Sequence, residues 1–313
     1  MIPAVSAATG GSPNFTYMWV AAGSSGELYT STSTSVATGS WTSRTSSFST
    51  TNIRGVASNG ASLYVAVGDS GKLATSPDGI TWTQRTSSFS TTDINHIAYG
   101  GGYWVAVGAS AKVAYSTDGI TWTQVTTGIS GNVHRVAWGN GVWLIANATG
   151  SLYSATDPTG TWTSRTSTVS TVADMLYFKG QSIWLLGNDT GTTGALASST
   201  DGLTWTARTS AINITGSGSL TARFGANTTV AVAYVVSGSF VTDVESTANG
   251  TTYTDRTASG LDSFPIYAAS DDAGLIVLNP MVTTSNGTSY TAQTSPSVNI
   301  QTLCHSSGTP SLR

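Results

Sequence analysis

The chain has 313 residues and a formal net charge of −3 at pH 7, and only 9% of its residues are charged. Ser and Thr make up about a third of it, whereas there are only three lysines, so no basic stripe exists to neutralise the phosphates of a nucleic acid. Aromatic and aliphatic residues are spread along the whole sequence, which excludes the composition of a disordered protein.

The sequence also argues against disulfides, zinc sites, a signal peptide and membrane helices. Cys304 is the single cysteine, so there is no internal disulfide framework, and no Cys/His cluster has zinc-site spacing. We therefore expect neither a metal nor a cofactor. The N-terminal segment MIPAVSAATGGSPNFTYMW lacks the basic region and long apolar core of a signal peptide. No segment approaches the ~20 apolar residues of a membrane helix, so we expect no signal peptide and no membrane insertion.

A repeat of about 40 residues organises the chain. Each unit begins with a short apolar strand such as IRGVAS and continues, after a Gly- or Asn-containing turn, with a more apolar strand such as LYVAVG. A short third strand such as KLATS leads into a polar turn that ends at an aromatic residue, and a fourth strand such as TWTQRT follows. The aromatic residues that end these turns are Trp41, Trp82, Trp122, Trp162, Trp205, Tyr253 and Tyr290.

Seven units of four antiparallel strands predict an all-β fold, a seven-bladed β-propeller that occupies residues 1–313 as a single domain. Radial closure removes the long exposed edges that an open sheet of this many strands would carry. The first unit starts at its second strand, and residues 298–305, within SVNIQTLCHSSG, read like its missing first strand. The segment IPAVSAATGG near the start could occupy the same place, and the sequence does not decide between the two.

The polar turn contains the motif S-x-D-G-x-T-W in three units, with degenerate copies at 156–162, 246–253 and 284–290. Aspartate can accept hydrogen bonds from backbone N–H groups of the turn, and glycine can take positive φ. The indole is then expected to pack between blades. Because repeated copies cannot all be one active site, we interpret the motif as scaffold. Its members are Asp78, Gly79, Trp82, Asp118, Gly119, Trp122, Asp201, Gly202 and Trp205.

The motif resembles the Asp-box, or BNR, repeat of sialidase-like propellers, and the resemblance extends over essentially the whole chain. The turn here is one residue shorter than the usual S-x-D-x-G-x-T-W of that family, so its loop geometry is expected to differ. DGITWT repeats with few lysines are also similar to propeller domains of bacteriophage tail and appendage proteins.

Five arginines recur at one repeat position, in WTSRT, WTQRT, WTART and YTDRT, and we expect them to be scaffold as well. We predict that they pair with the carboxylates of the DG turns or with backbone carbonyls of a neighbouring blade. They are Arg44, Arg85, Arg165, Arg208 and Arg256.

Binding residues are expected where the repeat is broken, because function often lies on loops that a rigid scaffold carries. Three connections are expanded, GNDTGTTG at 187–194, VSGSFVTD at 236–243 and SAINITGSGS at 210–219, and all are predicted on the face opposite the DG turns. First-strand polar residues are expected near the same face. The predicted binding residues are Arg54, His134, Arg135 and Arg223 on first strands, and Asn188, Asp189, Phe240 and Asp243 in expanded loops.

Three functions remain open. The first is a non-enzymatic virion protein, made in the host cytoplasm, that contacts other virion proteins or a host-surface glycan. The second is a cellular propeller that serves as an assembly or binding factor, similar to the assembly factors of photosystem II. The third is a sialidase-like glycoside hydrolase, in which an arginine triad would hold a carboxylate. The third is disfavoured, since the Arg-Ile-Pro signature is absent and the sequence has only two glutamates, Glu27 and Glu245.

Overall fold

The computed structural model describes residues 18–31, 41–147, 149–188, 195–209, 220–226, 231–237, 240–255, 268–270, 276–278, 282–284, 291–292 and 300–305. Regular structure in these ranges consists of β-strands and three short 3-10 turns, Ser24–Gly26, Asp69–Gly71 and Lys179–Gln181. No helix in this part of the chain has the length and apolar character needed to cross a membrane.

In chain order the strands are β1 (Trp19–Gly23), β2 (Glu27–Ser31), β3 (Thr42–Thr45), β4 (Ile53–Ser58), β5 (Tyr64–Gly68), β6 (Leu73–Ser76), β7 (Thr83–Arg85), β8 (Ile94–Gly100), β9 (Tyr103–Gly108), β10 (Val113–Ser116), β11 (Thr123–Val125), β12 (Val133–Gly139), β13 (Val142–Asn147), β14 (Leu152–Ala155), β15 (Thr163–Arg165), β16 (Asp174–Phe178), β17 (Ile183–Gly187), β18 (Ala195–Ser199), β19 (Thr206–Thr209), β20 (Leu220–Ala226), β21 (Ala231–Ser237), β22 (Phe240–Thr247), β23 (Thr254–Asp255), β24 (Ala268–Ser270), β25 (Ile276–Leu278), β26 (Val282–Thr284), β27 (Thr291–Ala292) and β28 (Ile300–His305).

The strands pair into seven antiparallel sheets of four strands. Sheet 1 has the order β28-β1-β2-β3, and sheets 2 to 7 each take four consecutive strands, β4–β7, β8–β11, β12–β15, β16–β19, β20–β23 and β24–β27. In sheet 1 a strand from early in the sequence meets one from late in it, because β28 pairs with β1 in a register that places Cys304 opposite Val20. The segment IPAVSAATGG lies outside the described residues.

The first strand of each sheet contacts the first strand of the next. These contacts run from β28 through β4, β8, β12, β16 and β20 to β24, and β24 also contacts β28. The first strands of successive sheets therefore lie beside one another, and in each sheet the fourth strand lies farthest from them.

The core lies between the faces of neighbouring sheets. Second strands are almost wholly apolar and buried, as expected for strands covered on both faces. In sheets 1 to 5 each second strand places one large aromatic ring, at most 1% exposed, at an equivalent position. These residues are Trp19, Tyr64, Trp104, Trp143 and Trp184. Burial of one such ring stabilises the fold by about 1.5–3 kcal/mol.

Candidate functional site

The DG turns between third and fourth strands are closed by their own side chains. In the turn of sheet 3, Asp118 Oδ1 accepts hydrogen bonds from the N–H groups of Ile120 (2.8 Å) and Thr121 (2.7 Å) and from the Ser116 hydroxyl (2.8 Å). Gly119 has φ +72°, in the left-handed region that glycine tolerates. The Trp122 indole N–H donates to the carbonyl of Gly119 at 3.1 Å. All these hydrogen bonds lie within the turn, so they define its shape.

These hydrogen bonds also stabilise the ionised carboxylates. Backbone hydrogen bonds from Thr121 and Ile120 outweigh desolvation and lower the pKa of Asp118 to about 2. The equivalent bonds from Thr204 and Leu203 lower the pKa of Asp201 to about 2. A carboxylate held in this state within its own turn is unsuited to proton transfer near neutral pH, because a general acid or base needs a pKa near the working pH.

Degenerate copies of the turn keep a side-chain oxygen that accepts from backbone N–H groups, with both backbone bonds in sheet 6 and one in sheet 4. In sheet 6, Asn249 Oδ1 accepts from the N–H groups of Thr251 and Thr252, both at 2.9 Å. In sheet 4, Asp157 Oδ1 accepts from the Thr159 N–H at 2.8 Å. Because an amide oxygen replaces the carboxylate without loss of these bonds, the turn uses the acceptor and does not require the charge.

The tryptophans that end the turns pack between sheets. Trp82 and Trp122, 7% and 9% exposed, belong to apolar clusters formed by sheets 1 and 2 and by sheets 2 and 3. Trp205 is partly buried against the cluster of sheets 4 and 5. A Cβ added to Gly119 would lie 2.6 Å from Leu63 Cδ2, on the preceding sheet. The DG turns therefore join neighbouring sheets.

The recurring arginines have different partners from those we predicted. Arg85 Nε donates to Thr75 Oγ1 on the adjacent third strand at 2.9 Å, and neither a turn carboxylate nor a neighbouring-sheet carbonyl is its partner. The register explains this, because Arg85 stands opposite Leu73, and Thr75 is its diagonal neighbour on the same face. The same arrangement joins Arg44 to Thr30, Arg165 to Ser154 and Arg208 to Ser198. Arg256 lies outside the described residues.

Polar residues occupy an equivalent bulge in the first strands of sheets 2, 3 and 4. The pairing with the second strand skips Arg54, Asn95 and His134, each directly after the apolar residue that begins its strand. A bulge leaves the extra residue outside the ladder and redirects its side chain. Three repeats with the same strand arrangement thus carry three different polar side chains at one place.

The first bulge residue, Arg54, lies between two carboxylates. Its Nε donates to Asp69 Oδ1 in the turn that follows the second strand of its own sheet, and its Nη2 lies 3.4 Å from Asp93 Oδ2, directly before sheet 3. Asp69 Oδ2 also accepts from Asn52 Nδ2 at 2.8 Å, and Asp93 Oδ1 accepts from the Ser70 N–H at 2.8 Å. The guanidinium is therefore fixed across the boundary between two sheets.

The other two bulges continue this pattern across sheets 3, 4 and 5. Asn95 Nδ2 donates to the Val133 carbonyl at 2.9 Å, and Arg135, next to His134, donates from Nε to Asp174 Oδ1 at 3.1 Å. We call Arg54, Asn95, His134 and Arg135 the first-strand belt, with Asp69, Asp93 and Asp174 as its acidic partners. The sequence indicated the arginines and His134, but it gave no signal for the acidic partners, which the chain brings from three different connections and strands.

Other predicted binding residues do not join the belt. Phe240 and Asp243 were expected in an expanded loop, but they lie in β22, because Phe240 pairs with Ser237 and leaves only residues 238 and 239 between the strands. Asn188, also predicted in an expanded loop, is 5% exposed and accepts a hydrogen bond from the Thr171 hydroxyl. Arg223 lies on first strand β20, opposite Tyr234, and its side chain is outside the described part. Asp189 and residues 210–219 are likewise outside it.

Among the described residues, no three His, Cys, Asp or Glu side chains form a group that could hold a metal ion. The carboxylates of the belt instead face arginines. The chemistry that the belt offers is hydrogen bonding by guanidinium, amide and carboxylate groups.

Comparison with known proteins identifies the fold. No family model and no curated protein matches the sequence. A protein from Lactobacillus plantarum is similar in structure with a TM-score of 0.65 and 11% identity, over 92% of this chain and 99% of that one. A catalytically inactive virginiamycin B lyase from Staphylococcus aureus, in complex with quinupristin, is similar with a TM-score of 0.62 and 9% identity. The match covers 89% of this chain and 95% of that one.

Two structures of YCF48 are also similar. YCF48 from Cyanidioschyzon merolae gives a TM-score of 0.56 and 11% identity over 83% of this chain and 87% of that one. YCF48 bound to D1 peptide gives a TM-score of 0.51 and 16% identity over 74% of this chain and 77% of that one. These structural neighbours are β-propellers, and at such low identity they show the fold alone. The chain is an all-β protein with a propeller fold.

Proposed function

We propose that the seven sheets are the blades of a closed seven-bladed β-propeller, which serves as a non-enzymatic binding or structural protein. Two observations support closure. Strand β28 completes the sheet that contains β1, and the first strand of sheet 7 contacts β28. Closure of this kind covers the sheet edges that would otherwise promote aggregation. The propeller fold is consistent with a binding or structural role.

The ligand-binding surface in this proposal is the first-strand belt, and its ligand is a glycan. The observation that carries the proposal is the divergence of bulge residues among repeats that are otherwise alike, with Arg54, Asn95 and His134 at equivalent places. Guanidinium groups donate hydrogen bonds and carboxylates accept them, so the belt matches hydroxyl groups that do both. The DG turns and recurring arginines serve as scaffold on this account.

The proposed setting is a bacteriophage tail or appendage, where the propeller contacts a host-surface glycan or other virion proteins. Its support is the resemblance of the low-charge, Ser/Thr-rich DGITWT repeats to propeller domains of phage structural proteins. A non-enzymatic role is supported by the DG-turn carboxylates Asp118 and Asp201, because their pKa values of about 2 keep them ionised, whereas a glycosidase needs one of its two carboxyl groups as a proton donor.

A glycan array tests this proposal. The variant Arg54→Ala/Arg135→Ala/Arg223→Ala removes three first-strand arginines. A matched control, Arg85→Ala/Arg165→Ala/Arg208→Ala, removes three arginines of the fourth strands. We expect the first-strand variant to lose at least tenfold in affinity for glycans that the wild type binds, and the control to bind as the wild type does. Equal binding by both variants would contradict the proposal, and thermal unfolding of each would establish that the variants fold.

A peptide-binding role is the second candidate. One structural neighbour, YCF48, is bound to a peptide. By analogy, a cellular assembly or binding factor would contact an extended peptide with the same propeller surface. A peptide array probed in parallel distinguishes the two candidates, because binding to peptides without binding to glycans would favour this one.

A further inference from the structure

We infer that the first-strand belt selects neutral glycans and disfavours acidic ones. The inference rests on the proposed function and specifies its ligand class. It follows from the charges that surround the two arginines, since two guanidinium groups of the belt face three carboxylates of the same chain.

Arg54 is already neutralised. Asp69 and Asp93 both contact its guanidinium, and each carboxylate has a second hydrogen bond, from Asn52 and from the Ser70 N–H respectively. The side chains of Arg54 and Asp93 are 39% and 40% exposed, so a ligand at this position encounters one positive and two negative charges. An acidic sugar would be repelled by the second carboxylate, whereas a hydroxyl would not.

Arg135 is paired more deeply. Its side chain is 16% exposed and that of Asp174 is 11% exposed, and Arg135 Nη1 also donates to the His134 carbonyl at 3.0 Å. A ligand carboxylate that took the place of Asp174 on Arg135 Nε would break this buried ion pair, which is strongly unfavourable. A neutral ligand does not need to break this pair.

Hydrogen-bonding groups nevertheless remain available to a ligand. In the hydrogen bonds of the described residues, Nη1 of Arg54, Nη2 of Arg135 and Oδ1 of Asn95 have no partner. These are two donors and one acceptor on groups that the acidic partners and the Val133 carbonyl hold in place. Fixed donors and acceptors bind hydroxyls with less loss of side-chain entropy than mobile ones.

The substitution Asp93→Asn tests the role of charge with little risk to folding. Asn52 and Asn132 occupy the equivalent place before their first strands, and their Oδ1 atoms accept from Ser25 and Ser110 N–H groups at 3.0 and 3.1 Å. The amide of the variant can therefore keep the bond to Ser70. The matched control is Asp157→Asn in the turn of sheet 4. Asparagine should be tolerated there, because Asn249 Oδ1 already accepts a backbone N–H in the corresponding turn of sheet 6.

The experiment compares the three proteins on an array where each neutral oligosaccharide stands beside its sialylated or sulfated form. We expect the wild type and Asp157→Asn to bind the neutral member at least tenfold more strongly. In Asp93→Asn we expect this preference to fall at least fivefold. A wild-type preference for acidic members, or an unchanged preference in Asp93→Asn, would overturn this inference and leave the proposed function standing. Binding to no glycan would overturn the proposed function and this inference with it.

Discussion

Substitution of Gly139 by alanine should destabilise the fold by about 2–3 kcal/mol, because overpacking between two well-packed elements has an effect of this size. Gly139 ends β12, and an added Cβ would lie 2.2 Å from Tyr177 Cγ and 2.4 Å from Tyr177 Cβ on sheet 5. Tyr177 is 8% exposed, and its ring centroid lies 5.1 Å from that of the fully buried Trp184. The obstacle is thus the root of a confined side chain, which cannot swing away.

Thermal unfolding measures this effect. With an unfolding entropy of about 2.1 cal/mol/K per residue, a loss of 2–3 kcal/mol lowers the midpoint of a chain of this length by about 3–5 °C. Gly160→Ala is the matched control, because the nearest atom to its added Cβ is the Asp157 carbonyl oxygen at 3.6 Å. We expect a change within about 0.5 kcal/mol there.

A double-mutant cycle separates the contact from other effects. In a Tyr177→Ala background, where the ring has been removed, Gly139→Ala should lose most of its destabilising effect, and the coupling should be at least 1 kcal/mol. An unchanged midpoint for Gly139→Ala, or additive effects of the two substitutions, would refute the packing of sheet 5 on sheet 4.

Two further predictions concern the chain ends and the DG turns. Val20→Cys, opposite the native Cys304, should form a disulfide on mild oxidation and speed the migration of the denatured chain in a non-reducing gel, whereas Val65→Cys, at the equivalent position of β5, should not. Between about pH 4 and pH 2 the stability should fall, because Asp118 and Asp201 have pKa values lowered from 3.8 to about 2 and the unfolded chain takes up protons first. Replacement of both by Asn should reduce this loss by about 1 kcal/mol per site, after allowance for solvent screening, and an unchanged pH profile of the melting midpoint would contradict the role of these carboxylates.

The all-β class and the place of the repeated turns could be predicted from sequence because both depend on local patterns. Apolar runs bounded by Gly, Asn and Asp predict strands, and Asp118 with Gly119 predicts a turn. Both predictions are independent of residues that are distant in the sequence. The second-strand aromatic Trp104 fits the same period. Because the pattern recurs at a fixed interval, a strand or turn predicted in one repeat supports the same prediction at the equivalent position of the other repeats.

The partners of charged residues could not be predicted, because register decides them. Arg85 bonds to Thr75 since the two are diagonal across one strand pair, while the nearby carboxylate Asp78 is occupied by its own turn. The bulge at Arg54 could not be predicted either, because the sequence IRGVAS has the pattern of a regular strand. The segment VSGSFVTD predicts an expanded loop that contains Phe240, but the strand pairing resumes at Phe240 after only two residues.

Hydrogen exchange locates ligand contact on the propeller most directly. We would measure amide exchange with and without the neutral oligosaccharide that the wild type binds most strongly on the array. Contact at the first-strand belt predicts slower exchange at residues 52–56, 93–97 and 132–136, with no change in the DG turns at 77–82 and 117–122. Protection confined to the DG turns, with unchanged exchange in the belt, would contradict the assignment of binding to the first strands.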